Sequence, residues 1–230
     1  MIQVLRREEK YPLSIEEAIR YSHKFSQILM PDVYSQNGSY MVRSLYFDTI
    51  DDKDFFDKLT EQNKRRKIRL RIYNPSDAYA KLEMKQKENI FQRKRSLRIT
   101  REDAEKLIAG DYAVLLNYPE NFAAELYGVM VTELYRPKSI VEYKRQAFMT
   151  KENNIRLTFD SEIRATESSF ELFSEKLPLS PVFPQDRVVF EVKYDKFLLG
   201  YISDIVSMVN TRSISSSKYC LSRTTGYTIN

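Results

Sequence analysis

Two chemically versatile residue types are almost missing from this 230-residue chain, which has one cysteine, Cys220, and one histidine, His23. No disulfide forms within such a chain, which suits a reducing compartment. A zinc cluster of His and Cys is excluded. A Ser-His-Asp triad would need His23, which lies in a helix-like segment without a supporting motif and reads as a helix-surface residue. Glycine is scarce as well, at five residues, and none lies in a Gly-rich loop. Neither a P-loop nor a dinucleotide fingerprint is therefore available. No apolar run approaches the roughly 18–20 residues that span a bilayer. The start, Ile2-Gln3-Val4-Leu5-Arg6-Arg7, lacks the apolar region of a signal peptide. The expectation is a soluble, cytoplasmic protein.

What is present is ordinary in amount and unusual in arrangement. Hydrophobic residues make up 42% and charged residues 30%, enough for a substantial core. The net charge of +5, from 37 Lys and Arg against 32 Asp and Glu, is small. Placement of the cations matters more than their excess. No repeat, low-complexity stretch or linker divides the chain, so residues 1–230 read as one mixed domain. Ser14-Ile15-Glu16-Glu17 is a capping box that opens a helix to about Leu29, with Pro31 beyond it. Thr100-Arg101-Glu102-Asp103 opens a second helix, stopped at Gly110. A third is predicted from Pro119 to Glu133, and weaker patterns cover 50–62 and 199–209. The segment 166–185, with Pro178, Pro181 and Pro184, reads as a mobile loop.

The strand patterns carry the argument. Alternate strand residues face opposite sides. Lys67, Arg69, Arg71 and Tyr73 share one side, against Ile68, Leu70 and Ile72. Lys81, Glu83, Lys85 and Lys87 oppose Leu82, Met84 and Gln86, while Val189, Glu191 and Lys193 oppose Val188, Phe190 and Val192. Arg156, Thr158 and Asp160 oppose Ile155, Leu157 and Phe159, and Arg6, Glu8 and Lys10 share a side. The apolar sides must pack against helices. The charged sides have two readings. One is a solvated outer sheet face. The other is an anion-binding surface, because like charges side by side on a sheet repel and need anions to offset them. Closing the sheet would make that surface a polar tunnel.

Three Glu-x-Lys strands recur, Glu83-Met84-Lys85, Glu142-Tyr143-Lys144 and Glu191-Val192-Lys193. They stand with Arg7-Glu8-Glu9-Lys10-Tyr11, Arg43-Ser44-Leu45-Tyr46-Phe47-Asp48, Arg69-Leu70-Arg71 and Ser217-Lys218-Tyr219. This ordered set, from about Arg6 to Lys218, resembles the VTC domain. That is the polyphosphate polymerase domain of the vacuolar transporter chaperone complex, within the triphosphate tunnel metalloenzymes. The resemblance implies an α+β fold, an antiparallel β-barrel tunnel with helices packed outside. It implies a transfer of the γ-phosphate of ATP to inorganic polyphosphate with Mn²⁺ or Mg²⁺. Carried over residue by residue, it places Arg69, Arg71, Arg145 and Arg156 at the transferred phosphate. Lys10, Lys85, Lys94, Tyr143, Lys193 and Lys218 would hold neighbouring phosphates, with Lys94 chosen from Arg93-Lys94-Arg95. Glu191, helped by Glu8, would hold the metal. Glu142 and Lys144 would point away from the tunnel, which makes the second Glu-x-Lys structural. The eukaryotic polymerase also carries an SPX domain and membrane spans. Neither is recognised here, so coupling to transport would rest on a separate membrane protein.

The same residues leave other functions open. Water as acceptor would give a triphosphatase or polyphosphatase. A non-catalytic polyphosphate-binding module would need no turnover. Specific nucleic-acid binding is not expected, because most aromatics fall on apolar strand faces or beside helices and not on the basic faces. Each cation also has a bland alternative, as an exposed strand residue or as half of an ion pair with Asp48, Glu83 or Asp160.

Overall fold

The computed structural model describes residues 6–89 and 91–224. The side chain of Arg6, expected beside Glu8 and Lys10, lies outside the described residues. In chain order the elements are β1 (Arg6–Ser14), α1 (Ile15–Ser26), β2 (Met30–Pro31), β3 (Tyr40–Asp48), α2 (Lys53–Leu59) and β4 (Lys64–Ile72). Then come β5 (Tyr79–Glu88), β6 (Phe91–Thr100), α3 (Arg101–Ile108), a 3₁₀ turn (Tyr112–Asn117), α4 (Asn121–Thr132) and β7 (Arg136–Met149). The last are β8 (Arg156–Thr166), β9 (Ser180–Pro181), β10 (Arg187–Asp195), α5 (Gly200–Ser207) and α6 (Lys218–Thr224). The fold is mixed α+β with one large antiparallel sheet of 10 strands. Its main path is β1-β10-β8-β7-β3-β4-β5-β6, so β1 and β6 stand at its ends. Among the described residues no helix is long and apolar enough to cross a membrane.

Local chemistry sets the helix boundaries. The Ser14 hydroxyl accepts from the Glu17 N–H, and the Glu17 carboxylate accepts from the Ser14 N–H. Thr100 caps α3 through the Asp103 N–H. Gly110, at φ +97°, takes the left-handed conformation past the end of α3. α2 begins three residues later than its pattern suggests, because Asp48 at the end of β3 accepts from the N–H groups of Thr49, Asp54 and Phe55. α6 has no counterpart among the predicted helices.

The chain forms two compact units, with residues of β3, β7 and β8 in both. The first comprises residues 1–41, 143–163 and 183–216, and the second residues 42–142, 164–182 and 217–230. In the first, Leu13, Leu157, Phe159, Phe190 and Val192 bury one sheet face against Ala18, Tyr21 and Phe25 of α1 and Ile202 and Val206 of α5. Phe190 stacks on Phe159 at 4.7 Å between ring centres and on Phe25 at 5.7 Å. In the second, Leu45, Phe47, Ile68, Leu70, Leu82, Met84, Leu97 and Ile99 pack against Ala104, Leu107, Leu115, Ala123, Leu126 and Met130. Here the 166–185 segment differs from the expected mobile loop. Leu172 and Phe173 are buried in this core, and Arg43 donates to the carbonyls of Leu172 (2.9 Å) and Ser174 (2.5 Å).

Candidate functional site

With their apolar sides buried, the strands of each unit present the opposite face to polar side chains. In the second unit the antiparallel registers line these up in rungs across β4, β5 and β6. Lys67 is opposite Lys85, and Lys85 opposite Lys94. The next rung runs Tyr46, Arg69, Glu83, Ser96. The one after runs Ser44, Arg71, Lys81, Arg98. Two wholly cationic rows in β4–β6 therefore flank a row that contains one carboxylate.

That carboxylate, Glu83, is 4% exposed and organises its neighbours. It accepts from Arg69 Nε at 2.7 Å and Nη2 at 2.6 Å, and it also meets the Lys94 ammonium. Burial would raise its pKa, but Arg69, Arg71 and Lys94 together outweigh burial and hold it at about 2. Arg69 donates to the Tyr46 hydroxyl at 3.2 Å. Burial would raise the Tyr46 phenol, yet Arg69 and Arg71 bring it below its ordinary value. Desolvation lowers Lys94, and the same two arginines add to that against the pull of Glu83. Arg71 donates to Ser44 at 3.1 Å, and Lys67 donates to Ser217 Oγ at 2.6 Å. Lys85 is exposed, and Lys218 is half-buried at the start of α6. Arg95, next to Lys94 in the chain, belongs elsewhere, turned to Glu125 at 2.6 Å and lying over Phe122.

The first unit arranges its charges differently. Glu8 is opposite Lys193, and Lys10 is opposite Glu191. Lys10 meets Glu8 at 3.1 Å and Glu191 at 3.7 Å, while Lys193 meets Glu191 at 2.5 Å and Glu8 at 3.8 Å. Lys10 also donates to the Ser216 carbonyl at 2.7 Å. Arg145 makes a two-pronged pair with the fully buried Asp160, at 2.6 and 2.7 Å, and its guanidinium lies 5.2 Å from the centre of the Tyr143 ring. Burial works against the charged form of Arg145, but Asp160, Tyr143 and Glu191 raise its pKa well above the usual value. Arg156 donates to Asp32 at 2.5 Å and to the Tyr40 hydroxyl at 3.2 Å.

The sequence-derived residues thus fall into two groups. Arg69, Arg71, Lys85, Lys94 and Lys218 belong to the second unit, while Lys10, Glu8, Tyr143, Arg145, Arg156, Glu191 and Lys193 belong to the first. Glu142 and Lys144 go elsewhere. Glu142 bridges Arg43 at 2.6 Å and Arg164 at 2.9 Å, and Lys144 pairs with Glu162 on the surface. The sequence reading missed Arg98, while Glu83, named there as an ion-pair partner for a cation, meets both Arg69 and Lys94. The period-two pattern of Lys94, Ser96 and Arg98 was the signal for Arg98.

The fold is shared with a putative adenylyl cyclase from Hippeastrum that has a dominant triphosphatase activity, at 12% identity and a TM-score of 0.59, covering 97% of this chain and 96% of that one. It is shared with a putative adenylate cyclase from Bacillus halodurans, at 12% identity and a TM-score of 0.51, covering 93% of each chain. No curated protein matches the sequence. Residues 5–227 match the VTC domain, and the chain belongs to that family.

Proposed function

We propose that this chain is a polyphosphate polymerase, a metal-dependent phosphotransferase that extends inorganic polyphosphate with the γ-phosphate of ATP. The observation that carries this reading is the pair of wholly cationic rungs, Lys67–Lys85–Lys94 and Arg71–Lys81–Arg98, on either side of Arg69. A surface of that kind suits a chain of phosphates better than a compact anion. The reading includes a cytoplasmic location, with any membrane coupling supplied by a separate protein.

Phosphoryl transfer asks the protein mainly for positioning and charge stabilisation. A terminal oxygen of the polyphosphate chain forms a bond to the γ-phosphorus. The bond from that phosphorus to the β–γ bridging oxygen breaks, and ADP leaves with its electron pair. In the second unit Arg69 and Arg71 offset phosphate charge, with Lys85, Lys94 and Lys218 holding neighbouring phosphates, since guanidinium forks match phosphate oxygens. In the first unit Arg145, supported by Tyr143, and Arg156 do the same beside Lys10 and Lys193. Glu83 keeps Arg69 and Lys94 poised until phosphate oxygens replace its own.

Among the described residues no group of three or more His, Cys, Asp or Glu is arranged to hold a metal. Two carboxylates, Glu8 and Glu191, nevertheless converge on the same two lysines. Opposite Glu191 lies Thr158, whose buried hydroxyl has no hydrogen-bond partner among the described residues. This all-oxygen set fits Mg²⁺ or Mn²⁺, which leave ligand positions to phosphate oxygens. Bound there, the ion would neutralise phosphate charge.

The test is incubation of the purified protein with ATP and Mn²⁺. Growth of long-chain polyphosphate supports the polymerase. Release of phosphate from tripolyphosphate without chain growth replaces it with the triphosphatase, the activity of the Hippeastrum relative in fold. Tight tripolyphosphate binding without turnover of either substrate, unchanged by Glu191→Ala, would make the chain a binding module.

A further inference from the structure

We propose that Lys81 and Arg98, with Arg71, form a second anion subsite, which takes a distal segment of a long polyphosphate chain. This rests on the polyphosphate reading above and specifies which phosphate substrate the face selects. Lys81 and Arg98 stand directly opposite each other on β5 and β6. Like charges so placed repel. Among the described residues neither meets a carboxylate at ion-pair distance, and Glu83 in the adjacent rung is engaged by Arg69 and Lys94. Aromatic rings brace the pair instead. The Lys81 ammonium lies 5.3 Å from the centre of the Tyr73 ring, and the Arg98 guanidinium lies 3.8 Å from that of Tyr79. Such contacts orient a cation without neutralising it. The pair is therefore held in place with its charge uncompensated, which is the state an incoming anion completes.

Spacing decides what kind of anion. Residues two apart on an antiparallel strand lie about 7 Å apart, and residues four apart about 14 Å. The Lys67–Lys85–Lys94 rung and the Arg71–Lys81–Arg98 rung are four residues apart, with Arg69 between them. A compact anion at Arg69 has no need of the outer pair. An extended chain of phosphates crosses both rungs. Lys81 and Arg98 then discriminate by chain length. If these side chains served only to keep the strands solvated, no such discrimination would follow.

The experiment is calorimetric titration of wild type and a Lys81→Gln/Arg98→Gln variant with tripolyphosphate and with long-chain inorganic polyphosphate, at one salt concentration. The expected result is about a tenfold loss of affinity for the long chain, with tripolyphosphate changed by less than about twofold. Arg98→Gln alone should show the same ordering at smaller amplitude. Both side chains are exposed, and an unchanged melting temperature separates this outcome from misfolding. Equal losses for both ligands, or none, overturn the subsite. Wild type that binds tripolyphosphate at least as tightly as the long chain overturns it while leaving phosphate recognition intact. Wild type that binds neither overturns the polyphosphate reading itself.

Discussion

In the first unit, β1 and β10 set Glu8 opposite Lys193 and Lys10 opposite Glu191, whereas in the second the registers set Lys67 opposite Lys85 and Lys81 opposite Arg98. Opposite charges across a strand pair stabilise a sheet, and like charges do the reverse. The first face can therefore hold its own geometry. The second sets like charges opposite one another, and under the proposed function an anionic ligand would offset them. Both read as alternating charged strands, and only the register separates a face of opposite-charge pairs from one of like-charge pairs. Under the proposed function the second face supplies attraction for the phosphate chain. The first carries the carboxylates Glu8 and Glu191 and the ion-paired arginines Arg145 and Arg156.

The contrast can be broken most severely at Asp160. Asp160→Ala leaves the buried Arg145 without its partner and should cost about 3–5 kcal/mol of folding stability, read by urea denaturation. The next effect is on turnover: Arg69→Ala should lower phosphoryl transfer about 100- to 1,000-fold, measured as kcat at saturating ATP. Glu83→Gln should move stability and ligand affinity in opposite directions. The pKa of Glu83 falls from 4.5 to about 2 on folding, so in that range the unfolded chain binds more protons. Its stabilisation is complete above about pH 4.5 and is lost as the pH falls towards 2, amounting to about 3 kcal/mol. The Gln variant should lose that stability at neutral pH and its acid dependence. With the competing carboxylate gone, tripolyphosphate should bind more tightly. The smallest effect belongs to Lys144→Ala, which removes an exposed pair with Glu162 and should change stability by less than about 1 kcal/mol.

Much of the fold could be read locally. Ser14 and Thr100 announced α1 and α3, because a cap is a short-range signal. The alternation in 67–73, 81–87 and 188–193 gave the buried and polar faces. Partners were harder. Arg156 meets Asp32 across 124 positions and Arg43 meets Glu142 across 99, separations that no periodicity encodes. α6 was missed for a related reason. Its position depends on tertiary contacts, with the Tyr219 hydroxyl on Asp48 at 2.6 Å, Ser222 on Ser139 at 2.8 Å and Arg223 on Asp52 at 2.8 Å. The candidate site was legible as a list of cations. Which of them are neutralised, and by which carboxylate, required the registers.

β6 ends the main strand path, and a terminal strand offers backbone groups to which another polypeptide can add. Arg93, Lys94, Arg95 and Arg98 stud this strand, so two copies approaching along it repel each other. Under the proposed function a long polyanion bound at Lys94 and Arg98 would lower that repulsion, and self-association would then rise with ligand loading.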